Sequence, residues 1–319
     1  MRRNARLRPP LPFLLLLLPI LTTQSGCGLG EAERTRQLRS SCADGDAGAC
    51  EEIGIRLLHG ERVFRDETQA IPFLEQACEG DQWEGCFELG AAYRGGRGVD
   101  EDLRQAARYF GKACDGDFGE GCAALGYLYQ TGRGVPGDLT RAADLFEKAC
   151  ESGLTGMCVN LAVAYEEGEG RQQDPARAAE LYEPACTGGG NPDACLRLGR
   201  LYRSGNGVAR DPARAAPLFE QACDAENKAS CRELARLYAD GEGVDRDPEQ
   251  AVELYERACG EGWWDRGDGE SCYRLAEMYQ SGTMVERDDD EAEHYFFTAC
   301  RLGYRLGCAP PPPPPPDST

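Results

Sequence analysis

Seventeen cysteines are the residues of this 319-residue chain whose type and spacing could do chemistry. A cysteine can bind a metal, attack as a thiolate or close a disulfide, and spacing separates these uses. Sixteen of them fall into recurring pairs: Cys42–Cys50, Cys78–Cys86, Cys114–Cys122, Cys150–Cys158, Cys186–Cys195, Cys223–Cys231, Cys259–Cys272 and Cys300–Cys308. The first cysteines of successive pairs lie 36, 36, 36, 36, 37, 36 and 41 residues apart. Other chemistry is poorly served. A zinc enzyme needs clustered His or free Cys, and the two histidines, His59 and His294, stand at opposite ends of the chain. A serine hydrolase of the β-lactamase type needs Ser with Lys three residues on, and the lysines, Lys112, Lys148 and Lys228, have no such serine. The acidic triplets Asp44-Gly45-Asp46, Asp115-Gly116-Asp117 and Asp288-Asp289-Asp290 lack the twelve-residue calcium spacing, so helix capping and solvated charge account for them. No catalytic residue, cofactor or metal is expected.

A fixed period in this range means an array of stacked units. Seven units run from Cys50 to Cys78, Cys86 to Cys114, Cys122 to Cys150, Cys158 to Cys186, Cys195 to Cys223, Cys231 to Cys259 and Cys272 to Cys300, each with a spacing of 28. The first half of a unit reads Cys-x-x-Leu-(Gly/Ala)-x-x-Tyr, as in Cys122, Leu125, Gly126 and Tyr129. Those offsets share one helical face, and the small residue lets a partner helix approach. A Gly-x-Gly-Val break follows, as in Gly132 to Val135, where the first Gly suits a left-handed C-cap. Asp66, Asp102, Asp138, Asp174, Asp211, Asp247 and Asp288 then open second helices as N-caps. The second half reads Ala-x-x-(Leu/Tyr)-(Tyr/Phe)-x-x-Ala-Cys, as in Ala142, Leu145, Phe146, Ala149 and Cys150. Nothing alternates as a strand would. The expected fold is all-α: an α/α solenoid of about seven 36-residue helix-turn-helix units over residues 42–308.

Two disulfide schemes are geometrically open. Pairing across the short linker joins one unit's last helix to the next unit's first, provided the linker folds back, because an unbroken helix would hold residues eight apart about 12 Å from each other. Pairing within a unit joins cysteines 28 apart at the open ends of antiparallel helices. The short scheme uses all sixteen, including Cys42 and Cys308, and the long scheme strands those two, so the short scheme is expected.

Residues 1–26 carry Arg2, Arg3, Arg6 and Arg8, an apolar run from Leu11 to Leu21, and Ser25-Gly26, the layout of an export signal with a run too short to span a bilayer. Export fits a disulfide framework. The remaining odd cysteine, Cys27, follows directly. Gln24-Ser25-Gly26-Cys27 resembles the lipid acceptor of bacterial lipoproteins, departing at Gln24, where an aliphatic residue is usual. That resemblance implies lipidation at Cys27 and, with Gly28 next, an outer-membrane lipoprotein facing the periplasm or the cell surface. Residues 27–41 are expected to be a tether and an N-terminal capping helix, and residues 309–319 a tail in which Pro310 to Pro316 adopts polyproline II. The formal charge is −20, and losing four arginines and no acid with residues 1–26 takes it to −24. So acidic a chain argues against nucleic acid and against an anionic membrane surface, and for a soluble monomer held to a membrane by lipid alone.

Taken together, the three patterns resemble Sel1-like repeats, in the cysteine-rich subgroup of secreted bacterial proteins. Leu57 in place of Tyr, Arg171 in place of Val and Thr283-Met284 in place of the second Gly are departures confined to single units. The resemblance implies a tetratricopeptide-like superhelix acting as an adaptor for protein or peptide partners. Some cysteine-rich members are described as β-lactamases or penicillin-binding proteins, so a hydrolase is the alternative it implies. Positions one and five places after each core cysteine change from unit to unit while the framework repeats. Among them Phe87, Tyr127, Arg200, Arg236 and Tyr273, with Trp263 and Trp264 in the linker insertion, are the expected partner surface.

Overall fold

The computed structural model describes residues 26–260 and 267–308, with side chains from residue 30 onward. Among the described residues there are fifteen α-helices, one closing 3-10 turn and no strand. α1 spans Gly26–Ala43. The seven first helices are α2 (Ala47–His59), α4 (Trp83–Gly95), α6 (Gly119–Thr131), α8 (Thr155–Glu167), α10 (Pro192–Ser204), α12 (Lys228–Asp240) and α14 (Gly269–Ser281). The second helices are α3 (Glu67–Glu79), α5 (Leu103–Asp115), α7 (Leu139–Glu151), α9 (Pro175–Thr187), α11 (Pro212–Asp224), α13 (Pro248–Cys259) and α15 (Asp289–Arg301), and a 3-10 turn at Arg305–Cys308 follows. Each helix packs on the one before and the one after it, which is the connectivity of a solenoid.

The sequence signals act where they were placed. All seven expected aspartates are N-caps whose carboxylates accept backbone N–H groups of the second helices. Every first helix ends on a glycine in the left-handed region, from Gly60 to Gly282. The small residue at the fourth offset sets the helix spacing within a unit. A Cβ on Gly90 would lie 2.7 Å from Phe110 Cδ1, and one on Gly126 would lie 2.7 Å from Phe146 Cε1. Phe110 and Phe146 are buried in turn.

Eight disulfides follow the short scheme, one at each junction from Cys42–Cys50 to Cys300–Cys308. Their Cα atoms are 4.5 to 4.8 Å apart, because the turn reverses the chain. The five extra residues between Cys259 and Cys272 leave that bridge at the same Cα separation as the others.

The second turn glycine, in the units that carry one, does more than the sequence indicated. Gly98 has φ 73°, and a Cβ there would sit 2.2 Å from the Glu67 carbonyl oxygen, on the preceding unit. Gly170 meets the Leu139 carbonyl oxygen in the same way at 2.1 Å. The turn of one unit is therefore seated on the N-terminus of the previous unit's second helix, a contact that spans units and that no local turn rule could supply.

Candidate partner surface

The first helices stand side by side, and α2 touches α4 directly. The positions expected to read a partner lie along this row. Phe87 is half-buried, its ring 5.6 Å from that of Phe110 and 5.5 Å from that of Phe118. Tyr273 packs at 5.5 Å on Phe296 and 5.2 Å on Tyr304. Arg200 gives two hydrogen bonds to Glu233 Oε1, at 3.0 and 3.1 Å. Arg236 donates to Glu270 Oε1 at 2.6 Å. Tyr127 is 43% exposed, and its hydroxyl accepts a 2.7 Å hydrogen bond from Asn160. Trp263 and Trp264 lie outside the described residues.

A rule links these contacts. In three units the residue one place after the core cysteine meets the N-terminus of the next first helix. Glu51 Oε1 accepts from the Gly85 N–H at 2.9 Å, in the first turn of α4, whose N-cap Gln82 makes no side-chain cap of its own. Phe87 covers Phe118, the N-cap of α6. Arg232 pairs with Asp268, which caps α14 and closes the Cys259–Cys272 linker. In three units the residue five places after the cysteine reaches a polar group on the following first helix: Tyr127 to Asn160, Arg200 to Glu233, Arg236 to Glu270. Variation at these positions therefore records matched pairs between neighbouring units. The signal was present in the sequence as charge complementarity one repeat period apart.

The row divides in two. From α8 to α14 it is a ladder of ions. Arg197 bridges Glu166 at 2.9 Å and Glu167 at 3.1 Å, and Glu233, only 4% exposed, is held among Arg200, Arg203 and Arg236. Tyr182, fully buried, donates to Glu166 at 2.7 Å, and burial first and that carboxylate second push its ionisation well above the ordinary phenol value. Toward α6 the row is more apolar. A narrow slot is lined by Leu139, Phe146, Val163 and Ala164, with Asn160 and Glu169 at its edge. Tyr127 stands beside it, its ring edge-on to Phe146 at 5.3 Å. A second cleft, about 380 Å³, opens against α2 and is edged by Glu51, Glu52, Glu61 and Glu84 with Arg56 and Arg62. Burial raises the Glu51 carboxyl above the ordinary carboxylate range, the Gly85 hydrogen bond lowers it, and neighbouring Glu84 raises it again. Among the described residues no group of three or more His, Cys, Asp or Glu is arranged to hold a metal. No described helix is long and apolar enough to cross a membrane.

A family model described as "Sel1 repeat" matches residues 47–81, 83–118, 119–154, 157–190, 192–227, 228–263 and 269–304. Among solved structures, the chain is similar to a protective antigen of uropathogenic Escherichia coli with an SLR fold, at 27% identity and a TM-score of 0.73. That match covers 86% of this chain and 57% of the other, so the chain spans little more than half the length of that relative. It is also similar to a Sel1 repeat protein from Oxalobacter formigenes, at 25% identity and a TM-score of 0.66, over 88% of this chain and 80% of that one. No curated protein matches.

Proposed function

This chain belongs to the Sel1 repeat family, and we propose that it is an exported solenoid scaffold that holds a protein or peptide partner at the cell envelope. The observation that carries the binding role is the row of first helices. Several of its variable side chains are spent on the neighbouring unit, while the aromatic Tyr127 stays 43% exposed. Aromatic side chains of this kind supply much of the energy at interfaces. Trp263 and Trp264, two large aromatics in the linker insertion, are assigned to the partner surface in this reading on their residue type and position in the sequence. Eight disulfides support an oxidising compartment. The basic and apolar layout of residues 1–26 supports export, and solitary Cys27 supports a lipid anchor that places the solenoid on the outer membrane, facing the periplasm or the outside. The partner is a protein or peptide, and the scaffold works as a monomer without a cofactor.

The test is a photo-crosslinking residue in place of Tyr127 in the native cell. A defined crosslinked protein is expected, and its yield should fall at least about tenfold when Trp263 and Trp264 are changed to Ala, roughly 1.4 kcal/mol of binding. Crosslinking spread over many abundant proteins, unaltered by the double change, overturns the placement of the surface. Membrane fractionation of Cys27→Ser tests the anchor separately: release to the soluble fraction is expected, and unchanged fractionation refutes it. A nitrocefin assay on the purified chain addresses the hydrolase alternative, for which no observation in the site speaks.

A further inference from the structure

Six of the eight disulfides are closed off from solvent, their twelve cysteines at most 3% exposed. Cys150 and Cys158 are only half-buried, although their bridge lies inside the array, between α7 and α8. Three features of that junction account for the difference. The first is a missing cover. Two places before its cysteine, a second helix can lay a side chain over the bridge of the preceding junction. Gln76 Oε1 lies 3.1 Å from Cys42 Sγ and 3.5 Å from Cys50 Sγ. Gln221 donates to the Cys186 carbonyl oxygen at 3.0 Å, and Arg257 to that of Cys223 at 3.3 Å. Over Cys150–Cys158 the residue in that place is Pro184, a short, exposed ring without a donor. The second feature is bulk. The residue before the second cysteine is a buried Ala, Gly or Ser at the other junctions, and a Cβ on Gly121 would lie 2.6 Å from that of Ala113. Here it is Met157, half-buried. The third is the seat of the sulfur. Sγ of Cys50, Cys86 and Cys122 lies 3.6 to 3.7 Å from the carbonyl oxygen of its own bridge partner. Sγ of Cys158 lies 3.9 Å from the Leu154 carbonyl oxygen. Cys300–Cys308, the last described junction, is open as well: Cys308 is exposed, and no described second helix follows to cover it.

We infer that Cys150–Cys158 is a thiol–disulfide exchange site inside the array, open to a low-molecular-weight thiol in the folded protein while the six buried bridges stay closed. Exchange needs a thiolate to reach a sulfur of the bridge, so access selects among bridges of the same kind. The thiolate attacks one sulfur, and the Cys150–Cys158 S–S bond breaks. A new S–S bond joins the small thiol to that cysteine, and the other cysteine leaves as a thiolate. A second small thiol then displaces the first cysteine. The products are two protein thiols, which take up the protons lost by the small thiols, and one molecule of the small disulfide. The bridge joins the two helices whose Leu139, Phe146, Val163 and Ala164 line the narrow slot.

The experiment treats the folded, oxidised full chain with 2-mercaptoethanol, a neutral thiol that so acidic a chain does not repel. Samples are alkylated at intervals and the labelled cysteines identified by peptide mapping. Cys150 and Cys158 should label at least about tenfold faster than any of the twelve buried cysteines. Cys300 and Cys308 should label as well. Pro184→Gln, which supplies the missing cover, should slow labelling of Cys150 and Cys158 about fivefold or more and leave Cys300 and Cys308 unchanged. Pro184→Ala frees α9 of its proline without supplying reach, and labelling should stay fast. Gln221→Ala should in turn open Cys186–Cys195. Labelling of all sixteen cysteines at one rate overturns the inference, because exchange would then follow global opening. Slow labelling of Cys150 and Cys158 alongside the buried twelve overturns it too. Equal slowing by Pro184→Ala and Pro184→Gln assigns the effect to helix stability and overturns the role of the cover.

Discussion

Removing the Cys114–Cys122 bridge by changing both residues to Ala tests how the solenoid distributes its stability. The two cysteines are nearly fully buried and eight apart. Closing so short a loop in the unfolded chain is worth about 2.5 kcal/mol in a chain-entropy model. At about 1.4 kcal/mol per tenfold, that is roughly a sixty-fold change in an opening equilibrium. The loss should be local, because each unit touches only its neighbours. Amide exchange, measured residue by residue under native conditions, should therefore speed up by about that factor in α5 and α6, less in α4 and α7, and little in α12 or beyond. The same pair of changes at Cys259 and Cys272, thirteen apart, should cost slightly more, about 2.9 kcal/mol. Two results refute the reasoning. No change in α5 and α6 would mean that the bridge does not limit the unfolded chain. An equal loss in all fifteen helices would mean that the array opens as one cooperative body.

Other perturbations have distinct expected outcomes. Glu51→Gln keeps an acceptor for Gly85 and removes the charge. Because burial raises the folded-state Glu51 carboxyl above its unfolded value, its contribution is fully present below the unfolded value near 4.5 and declines as pH rises through the raised one. Thermal melts from acid to neutral pH should show the wild type losing ground to Glu51→Gln on the way up. Tyr182→Phe deletes the hydrogen bond to Glu166 and should cost about 1.5–3 kcal/mol in chemical denaturation, the range for bonds to charged groups. Gly132→Ala meets only ordinary contacts at 3.5 Å and should cost about 1 kcal/mol for its left-handed φ alone. Gly98→Ala, which must also displace the Glu67 carbonyl, should cost at least about twice that.

The units were legible because capping aspartates, turn glycines and the small residue opposite Phe110 or Phe146 act within one unit, at offsets that a sequence displays. The disulfides were legible because the outermost cysteines pair only in the short scheme. What escaped lies between units. The second turn glycine reads as a local turn residue, yet its partner is a carbonyl about 31 residues earlier, from Gly98 back to Glu67. Phe87 and Tyr273 read as display positions because they vary, yet each packs on aromatic rings of its own and the following junction. Met284 shows the limit of local rules in the other direction: it takes φ 73° without being glycine.

This pairing changes how a partner surface must be probed. Reversing Arg236 would place a carboxylate between Glu233 and Glu270, which it now joins at 3.7 and 2.6 Å. Reversing Arg200 would leave the buried Glu233 with fewer of its three arginines. Each change should loosen the junctions among α10, α12 and α14, with a cost of about 1–3 kcal/mol for an unmatched, mostly buried carboxylate. Loss of partner binding in such a variant would report a distorted row. Tyr127→Phe is cleaner. It keeps the ring on Phe146 and removes only the acceptor for Asn160, on a side chain that is 43% exposed. Tyr127→Ala removes the ring as well. If the ring is the anchor, Tyr127→Phe should bind the crosslinked partner within about threefold of the wild type, and Tyr127→Ala at least about tenfold more weakly. Exchange rates in α6 and α8 should differ little between the two. Equal binding by both variants, measured by titration with the purified partner, would show that the Tyr127 ring is not where the partner sits.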